Sequence, residues 1–419
     1  MTTVATDRLE LAPDPQLPQR DLLLDPDAVA ERLRRLLGSD GELAVRRCER
    51  VRAKYQVGRS LRVLHRIEVD GERHLVSART FAPERAAAVY GRALATAVPT
   101  GTVRPVAHDP ELATVFWTFP NDRKIDGLRA LTEPPRALAV AAAERWTRSR
   151  LVAYAPEKSA TVSRIGERGR PVAFVKAYAG DEGERTHRIH SALEDAAPVA
   201  RALAYSPAHR VLAVESIDGR PVAALARDEL DDAFAGLGSA LAGLHRSRVP
   251  RELLGAPRLE PARLASAAAI IGAARPDVGA RARALAAALA GSFDRRGRAV
   301  CLHGDAHPKN GILGRDGVVL IDLDQVCAGP AAADLGGLLA GLAYARCVGE
   351  LAEADERRLG EAVVAGYADA GTPPAPASLR WHTAAALLAE RGLRAVHRVR
   401  RHGLRRLDAI LEAAEEVGP

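Results

Sequence analysis

The chain has 419 residues, of which 47% are hydrophobic and 27% charged, a balance typical of folded domains rather than of disordered or fibrous chains. Its 60 Lys and Arg exceed its 53 Asp and Glu and give a net charge of +7, but only 4% of the residues are aromatic, too few to stack bases along a single-stranded nucleic acid. No apolar run approaches the roughly 20 residues needed to span a bilayer, and charges interrupt the N-terminus where a signal peptide would be apolar. We therefore expect a cytoplasmic protein of two or three domains, with neither a nucleic acid nor a membrane as partner.

The first part of the chain predicts a small α+β unit. An Asp cap and helical spacing of apolar residues predict a helix over 25–38. Alternating residues over 45–81, with a turn at Asp70–Gly71, predict a hairpin-like sheet. A helix from about Pro83 to Ala97 and two strands around the Asp109–Pro110 turn complete the unit.

A second unit repeats this order. The segments VRAKYQVGRSLRV, HLVSARTF and PERAAAVYGRAL are echoed by RLVAYAPEKSATV, PVAFVKAY and EGERTHRIHSAL, so that Tyr55 matches Tyr154 and Phe81 matches Tyr178. Chance similarity in a chain rich in Ala and Arg is the alternative explanation. The shared order of elements favours an internal duplication.

The remainder predicts mainly helices. PPRALAVAAAERWTRSR (134–150) predicts a helix that connects the two units, and the apolar runs 299–305 and 317–324 predict strands. Further helices are predicted at 228–246, 260–274, 278–292, 331–346, 354–370, 376–392 and 394–416. We thus predict three domains, at 1–133, 151–222 and 223–419.

The chemically active residues are densest in CLHGDAHPKNGILGRDGVVLIDLDQVCAGPAAADL, which spans 301–335. Asp305 and Asn310 lie on a loop leaving one strand, and Asp322 lies in the next strand after a turn at Asp316–Gly317. A hairpin of that length returns Asp322 to the side of the loop. Two carboxylates and an amide oxygen suit Mg²⁺, and phosphoryl transfer uses such a set.

Two other interpretations stand beside this one. Asp305 and Asp322 could be solvated turn residues, and His303 and His307 could bind zinc. The H-x-x-x-H spacing has no third candidate ligand nearby. The spacing, the strand context and the scarcity of Asn, which occurs only twice in the chain, favour the magnesium interpretation.

HGD-x-H-x-x-N, followed by IDLD and G-P-x-x-x-D-L, resembles the catalytic core of the aminoglycoside phosphotransferase and choline kinase family over about 150–416. That family shares the bilobal fold of protein kinases, so the resemblance implies an α+β fold with a small sheet lobe and a mainly helical lobe. It implies ATP as phosphoryl donor, Asp305 as catalytic base, and Asn310 and Asp322 as the magnesium ligands. It also implies that His303 braces the catalytic loop.

The same resemblance covers further positions. His307 matches a common family position, and Asp334 is expected to hold the loop through backbone hydrogen bonds. Two departures are small: Ala306 stands where the family often has Leu, and Gly311 stands where Ile or Val is usual.

A kinase of this fold needs a lysine on the third strand of its small lobe, and PVAFVKAY supplies Lys176. The alternative is a strand-end lysine that points to solvent. Glu184 is the first candidate for its carboxylate partner and Glu182 the second. The family usually places this Glu nearer the middle of the helix, where the chain has His187.

The rest of the nucleotide site follows the same resemblance. YAPEKSA (154–160) would be the turn that covers the phosphates, although it has no glycine. VLAVESIDG fits the hinge strand whose backbone would meet adenine near Glu215 and Ile217. The first unit carries Arg79 at the position of Lys176, and a guanidinium is no conservative replacement at a tight phosphate site. We expect that unit to be a degenerate small lobe that caps the molecule.

The expected function is ATP- and Mg²⁺-dependent phosphorylation of a small-molecule hydroxyl, most simply of a sugar or aminosugar. An aminoglycoside-type antibiotic kinase and a non-catalytic nucleotide-binding pseudokinase are the alternatives. The arginines of the last helices are expected to form a solvated face, although arginines lining the pocket would favour a neutral or anionic sugar. Acidic stretches at 228–232 and 412–417 would instead suit a cation. The arginines are Arg391, Arg394, Arg398, Arg400, Arg401, Arg405 and Arg406.

Overall fold

The computed structural model describes residues 10–38, 41, 43–128, 131, 146–293 and 298–418. The predicted α+β class is confirmed: a small sheet lobe and a mainly helical lobe form a kinase-like pair, and an extra sheet unit precedes them. Over these ranges no helix is both long and apolar enough to cross a membrane.

The N-terminal unit, here called the cap, is a five-stranded antiparallel sheet with strand order β1-β2-β3-β5-β4. Its second helix begins where the sequence predicts, because the Asp25 side chain accepts hydrogen bonds from the first free N–H groups of that helix. The elements are α1 (Arg20–Leu24), α2 (Pro26–Leu37), β1 (Val45–Gln56), β2 (Ser60–Val69), β3 (Glu72–Thr80), α3 (Pro83–Thr96), β4 (Val106–Asp109) and β5 (Thr114–Thr118).

The small lobe repeats the plan of the cap, with strand order β6-β7-β8-β10-β9. Its elements are β6 (Trp146–Ala155), β7 (Ser159–Gly166), β8 (Pro171–Tyr178), α4 (Glu182–Leu193), β9 (Ala202–Ser206) and β10 (Val211–Glu215). The helix predicted over 134–150 is wrong at its end, because 146–150 pair with β7 as a strand. Pairing with a neighbouring strand overrides local helix propensity there, and 134–145 lie outside the described residues.

The two units also share a side-chain tether. In the cap, Asp14 Oδ2 accepts hydrogen bonds from Tyr55 OH at 2.7 Å and from a turn N–H at 2.9 Å. A matching tether reaches the small lobe: Asp122 Oδ2, in the segment after β5, accepts from Tyr154 OH at 2.7 Å and from the matching turn N–H at 2.9 Å. The tyrosines are the pair matched in sequence. A common strand order and a common tether support duplication over chance.

The helical lobe carries two small sheets, of order β11-β13-β14 and β12-β15. The loop 303–310 connects a strand of one sheet to a strand of the other. The strands of this lobe are β11 (Arg220–Pro221), β12 (Ala299–Leu302), β13 (Gly311–Gly314), β14 (Gly317–Leu320) and β15 (Cys327–Pro330). Its helices are α5 (Leu230–Arg246), α6 (Pro261–Ala274), α7 (Pro276–Gly291), α8 (Ala332–Cys347), α9 (Glu353–Ala370), α10 (Pro376–Ala386), α11 (Leu393–Arg398), α12 (Arg401–Arg405) and α13 (Leu407–Val417), with a π-helical turn at Leu387–Gly392.

The predicted helix over 394–416 is divided into three. Val399 adopts a left-handed backbone with φ 48°, which ends α11. The resulting turn brings Val399 O within 3.2 Å of the Arg50 guanidinium on β1, which donates to it. The break in the helix therefore docks the last helices onto the cap.

The cap packs against both lobes. One continuous apolar cluster includes Leu33 and Phe116 of the cap together with Leu264, Leu388 and Ile410 of the helical lobe. A separate cluster joins Leu64 of the cap to buried residues of the small-lobe sheet. Burial of apolar surface is the main favourable term in such packing, so the cap is an integral part of the fold.

A buried ion cluster fixes the β6–β7 turn to the cap. The Arg123 guanidinium donates two hydrogen bonds of 2.8 Å to Glu157, whose side chain is only 4% exposed. Arg62 lies 3.5 Å from the same carboxylate and donates to Pro156 O. Burial alone would raise the pKa of Glu157, but Arg123 and the charges of Arg62 and Arg79 lower it below the usual value. The turn predicted to cover phosphates is thus held from the cap side.

Replacing Glu157 with Ala is expected to lower the free energy of unfolding by about 3 kcal/mol, because the change leaves partly buried guanidinium groups uncompensated. Urea unfolding followed by circular dichroism measures the loss. The matched control is Glu361→Ala on the exposed face of α9, where a change within about 0.5 kcal/mol is expected. Equal losses in the two variants would contradict the anchoring role of Glu157.

Candidate functional site

The loop that carries Asp305 and Asn310 is fixed by a buried carboxylate, Asp334, in the first turn of α8. Its Oδ2 accepts a hydrogen bond from His303 N at 2.6 Å, and its Oδ1 accepts one from Gly304 N at 2.9 Å. His245 Nε2 lies 3.0 Å from Oδ2. Gly304 has φ 75° and a Cβ there would lie 2.1 Å from Gln325 O, so this position needs glycine.

The charge of Asp334 is well compensated. Burial would raise its pKa, but the hydrogen bonds from His245 and from the Gly304 N–H lower the pKa below the usual value. Asp334 is therefore ionised at neutral pH. The loop-holding role predicted from the sequence matches these contacts.

His303 connects the loop to the segment that carries Asp322. Its ring is fully buried, and Nδ1 accepts a long hydrogen bond of 3.4 Å from Asp305 N. The other nitrogen, Nε2, then carries the proton and donates to Ile321 O at 3.0 Å. Both nitrogens are occupied, which argues against the zinc interpretation of His303 and His307.

Asn310 is oriented by the loop itself. Its Nδ2 donates to Asp305 O at 3.0 Å, and the side chain is buried. Asn310 and Asp322 both line a cavity of about 590 Å³. The hairpin return predicted from sequence is present, since β13 and β14 pair around the Asp316–Gly317 turn.

Asp322 lies just beyond β14 rather than within a strand. The strand ends at Leu320, and Asp322 adopts a left-handed backbone with φ 62°. The apolar run of the sequence continues past the point where pairing stops, which explains the difference. This conformation turns the carboxylate into the cavity, where Lys176 Nζ donates to Asp322 Oδ1 at 2.7 Å.

Lys176 is held by two carboxylates. Besides Asp322, its Nζ donates to Asp324 Oδ2 at 2.7 Å, and Tyr178 OH donates to Asp324 Oδ1 at 2.8 Å. Burial would lower the pKa of Lys176, but Asp324 and Asp322 raise it above the usual value. Burial would likewise raise the pKa of Asp322, and Lys176 lowers it. Lys176 and Asp322 are therefore both charged at neutral pH.

The predicted carboxylate partners of Lys176 are placed elsewhere. Glu184 and Glu182 are both exposed in the first turn of α4, and the cavity-facing residues of that helix are Thr186 and His190. Helical spacing puts the first-turn glutamates on the solvent side. Sequence reasoning missed Asp324, although the second Asp of IDLD was its visible signal.

The hinge strand lines the far end of the same cavity. Glu215 and Ile217 both border it. Glu215 N donates to Arg201 O at 3.0 Å, and Arg201 N donates to Glu215 Oε1 at 2.7 Å, so the Glu215 N–H is already used. The backbone groups of Ile217 form no hydrogen bond within the described ranges.

Asp305 does not line this cavity; it lines a separate, smaller one and contacts Arg394 of the last helices. Arg394 NH2 is 3.5 Å from its Oδ1 and His307 Nε2 is 3.8 Å from its Oδ2. Burial would raise the pKa of Asp305, but the charges of Arg394 and His307 lower it. Arg394, expected on a solvated face, is thus at the site; its side chain is only 25% exposed.

The donor set fits a magnesium ion. Asn310 and Asp322 offer only oxygen atoms, as Mg²⁺ prefers, and the ion normally keeps waters or substrate phosphates as further ligands. Among the described residues no group of three or more His, Cys, Asp or Glu is arranged to hold a metal ion. The oxygen pair therefore suits an ion whose shell is completed by phosphate.

Arg79, the counterpart of Lys176 in the cap, borders a different cavity of about 750 Å³. Its guanidinium lies 5.9 Å from the ring centre of Phe81, as Lys176 Nζ lies 5.3 Å from that of Tyr178. The two cations thus occupy equivalent places on two sheets, but only Lys176 meets the carboxylates of the catalytic segment.

Comparison with known proteins agrees with the kinase-like fold. The model of the phosphotransferase enzyme family matches residues 153–382, more than half of the chain. A search of curated proteins gives no match.

Several solved structures resemble the chain. Amicoumacin kinase in complex with AMP-PNP, Ca²⁺ and Ami is 13% identical, with a TM-score of 0.49, over 70% of this chain and 97% of that one. A spectinomycin phosphotransferase in complex with ADP and spectinomycin is 13% identical, with a TM-score of 0.45, over 65% of this chain and 94% of that one. An aminoglycoside phosphotransferase from Streptomyces rimosus is 19% identical, with a TM-score of 0.39, over 57% of this chain and 92% of that one.

Replacing Asp334 with Asn is expected to cost about 3 kcal/mol at pH 7, because the amide cannot satisfy all of the buried donors around it. A lowered pKa contributes stability above the usual carboxyl value of 3.8 and loses it as the pH falls from there through the folded value. The difference between wild type and variant should therefore shrink at pH 3. Urea unfolding at both pH values checks this, with exposed Asp369→Asn as control. A difference independent of pH would contradict it.

Proposed function

The chain belongs to the phosphotransferase enzyme family, and we propose that it transfers the γ-phosphoryl group of ATP to a hydroxyl of a sugar or an aminosugar. Family membership makes it a kinase of small-molecule hydroxyls. The donor nucleotide, the metal and the acceptor class are the parts that we propose.

One observation carries the proposal: Lys176, Asn310 and Asp322 come from three separate elements to line one cavity, and the Asn310 amide also donates to the backbone oxygen of Asp305. A volume of about 590 Å³ lies in the range usual for cofactor and small-ligand sites. A cation, an oxygen ligand pair and a nearby ionised carboxylate are the parts that phosphoryl transfer requires.

The nucleotide side of the site uses three of these positions, Lys176, Asn310 and Asp322, together with Asp324 and the hinge segment. Asn310 Oδ1 and the Asp322 carboxylate would hold Mg²⁺, which when bound neutralises phosphate charge. Lys176 would donate to the α- and β-phosphate oxygens, with Asp324 rather than Glu184 as the carboxylate that keeps it oriented. The free backbone groups of Ile217, beside Glu215, are the best placed to meet adenine.

Asp305 is the proposed base. Its lowered pKa keeps it ionised at neutral pH, so an Oδ atom can accept the proton of the acceptor hydroxyl. The oxygen of that hydroxyl then bonds to the γ-phosphorus, and the bond from phosphorus to the oxygen of ADP breaks. His303 orients the loop through Ile321 O and does not touch the reacting atoms.

The three parts of the chain have different proposed roles. We propose 151–222 and 223–419 as the catalytic pair, and 1–133 as a cap that supports both. A non-catalytic pseudokinase is the rival from another class, and the complete set of Lys176, Asp305, Asn310 and Asp322 counts against it.

A panel of hydroxyl compounds tests the function: sugars, aminosugars, amino alcohols and aminoglycosides, each with ATP and Mg²⁺ and read by ADP release. Acceptor-dependent ADP release with at least one sugar is the expected result. Tight MgATP binding without turnover of any compound would favour the binding protein.

Replacing Asp305 with Asn is expected to lower kcat by at least about 100-fold, the usual range for loss of a general base. MgATP affinity, measured by calorimetry, should stay close to that of wild type, because the phosphate-side residues are intact. Asp316→Asn in the exposed hairpin turn is the matched control. Wild-type turnover in Asp305→Asn would remove it from the mechanism.

Lys176 and its cap counterpart Arg79 should separate in an ATP titration. Lys176→Ala removes the cation that meets Asp322 and Asp324, so we expect a raised KM for ATP or a collapsed kcat. Arg79→Ala should leave both values nearly unchanged, because Arg79 borders the cap cavity instead. An ATP-specific defect confined to Arg79→Ala would make the cap sheet the working small lobe.

A further inference from the structure

A group of cations meets Asp305 where the cap contacts the last helices. Arg394 and Arg398 lie one helical turn apart on α11 and so share a face. The hydrogen bond from Arg50 to Val399 O docks β1 against the end of that helix. This contact brings cationic side chains of β1 to the same place. The basic wall is Arg52, Lys54, Arg394 and Arg398.

The wall is not compensated by the protein. In the described part of the chain, Arg52, Lys54 and Arg398 form no ion pair, and Arg394 has only the long contact of 3.5 Å to Asp305. Neighbouring carboxylates are already taken: Glu157 by Arg62 and Arg123, as described above, and another, Glu390, by Arg258 at 3.6 Å.

A solvated arginine face would spread its charges into water, but in this group Arg52, Arg394 and Arg398 are drawn together and half-buried. Burial lowers the pKa of Arg398 to about 10, with the charges of Arg52, Arg394 and Arg400 acting in the same direction. Burial and neighbouring arginines likewise lower the pKa of Arg52. Each cation thus raises the free energy of the charged form of its neighbours, and an anion bound among them would lower that free energy.

We propose that the acceptor carries an anionic group, a phosphate ester or a carboxylate, which the basic wall binds while a hydroxyl of the same molecule faces Asp305. Arg394 and Arg398 supply planar donors that match both kinds of anion. A polycationic acceptor is excluded by the same charges. This inference rests on the proposed function and narrows its acceptor from sugars in general to acidic sugars.

The wall is distinct from the phosphate site of the nucleotide. Lys176, Asn310 and Asp322 line the 590 Å³ cavity, and no residue of the wall does. Asp305 lies between the two, in contact with Asn310 on one side and Arg394 on the other. An acceptor held by the wall would therefore approach the base from the side opposite the nucleotide.

Four acceptors of one hexose skeleton test the proposal: the neutral sugar, its uronic acid, its monophosphate and its 2-amino derivative. With the full chain, ATP and Mg²⁺, kcat/KM for one of the two anionic compounds should exceed the neutral and amino compounds by about 100-fold, the discrimination expected from two charge-assisted contacts. The uronic acid and the monophosphate distinguish carboxylate from phosphate recognition.

Arg398→Gln supplies the second arm. It should raise KM for the preferred anionic acceptor by about 10-fold, as loss of one charge-assisted contact predicts, while changing the neutral sugar little. Arg357→Gln on the exposed surface of α9 is the control and should match wild type. Binding of the preferred anion without ATP, measured by calorimetry, should weaken in Arg398→Gln but not in the control.

The outcomes separate the two proposals. Turnover of neutral or amino sugars as efficient as that of the anionic ones overturns the basic-wall inference and leaves the kinase function intact. A rise in KM for ATP, rather than for the acceptor, in Arg398→Gln would assign the wall to the nucleotide and overturn it too. Absence of turnover with every compound overturns the proposed function, and the acceptor inference with it.

Discussion

The buried carboxylate of Asp334 is the contact on which the site depends. It accepts from the backbone at His303 and Gly304 and meets His245, so one ionised side chain on α8 determines where the catalytic loop begins. A buried charge is tolerated only when hydrogen bonds replace the water it has lost. From that fixed start, the loop delivers Asp305 and then Asn310, whose amide returns a hydrogen bond to Asp305 O.

Charge organises the site in three zones. In the first, Lys176 is paired with Asp322 and Asp324. In the second, Glu157 is paired with Arg62 and Arg123 between the cap and the small lobe. The basic wall beyond Asp305 is the zone that the protein leaves unbalanced, and ligand charge is what such a zone recognises. Arginines thus pair with a buried carboxylate at one place in the fold, and at another they remain available to a ligand.

The sequence predicts most of the elements and the catalytic segment because their signals are local: caps, alternation, turn residues and a dense motif. It does not reveal what long-range contacts decide. Pairing with β7 makes 146–150 a strand, the end of β14 leaves Asp322 in a left-handed turn, and the face of α4 leaves Glu184 in solvent. The position of Arg394 beside Asp305 depends on the break at Val399 and on docking against the cap, which no local pattern indicates.

The cap contacts both lobes, so the two lobes are connected through the cap as well as through the hinge. Two lobes joined by a single hinge can open through one free angle. Here the cap shares an apolar cluster with the helical lobe and is bonded to the small lobe through Glu157. The cap therefore forms a second connection between the two lobes, in addition to the hinge. Widening the cleft between the lobes must then displace the cap from one of them or break the ion pairs of Glu157. Opening of the cleft is therefore coupled to the contacts that Glu157 makes with the cap.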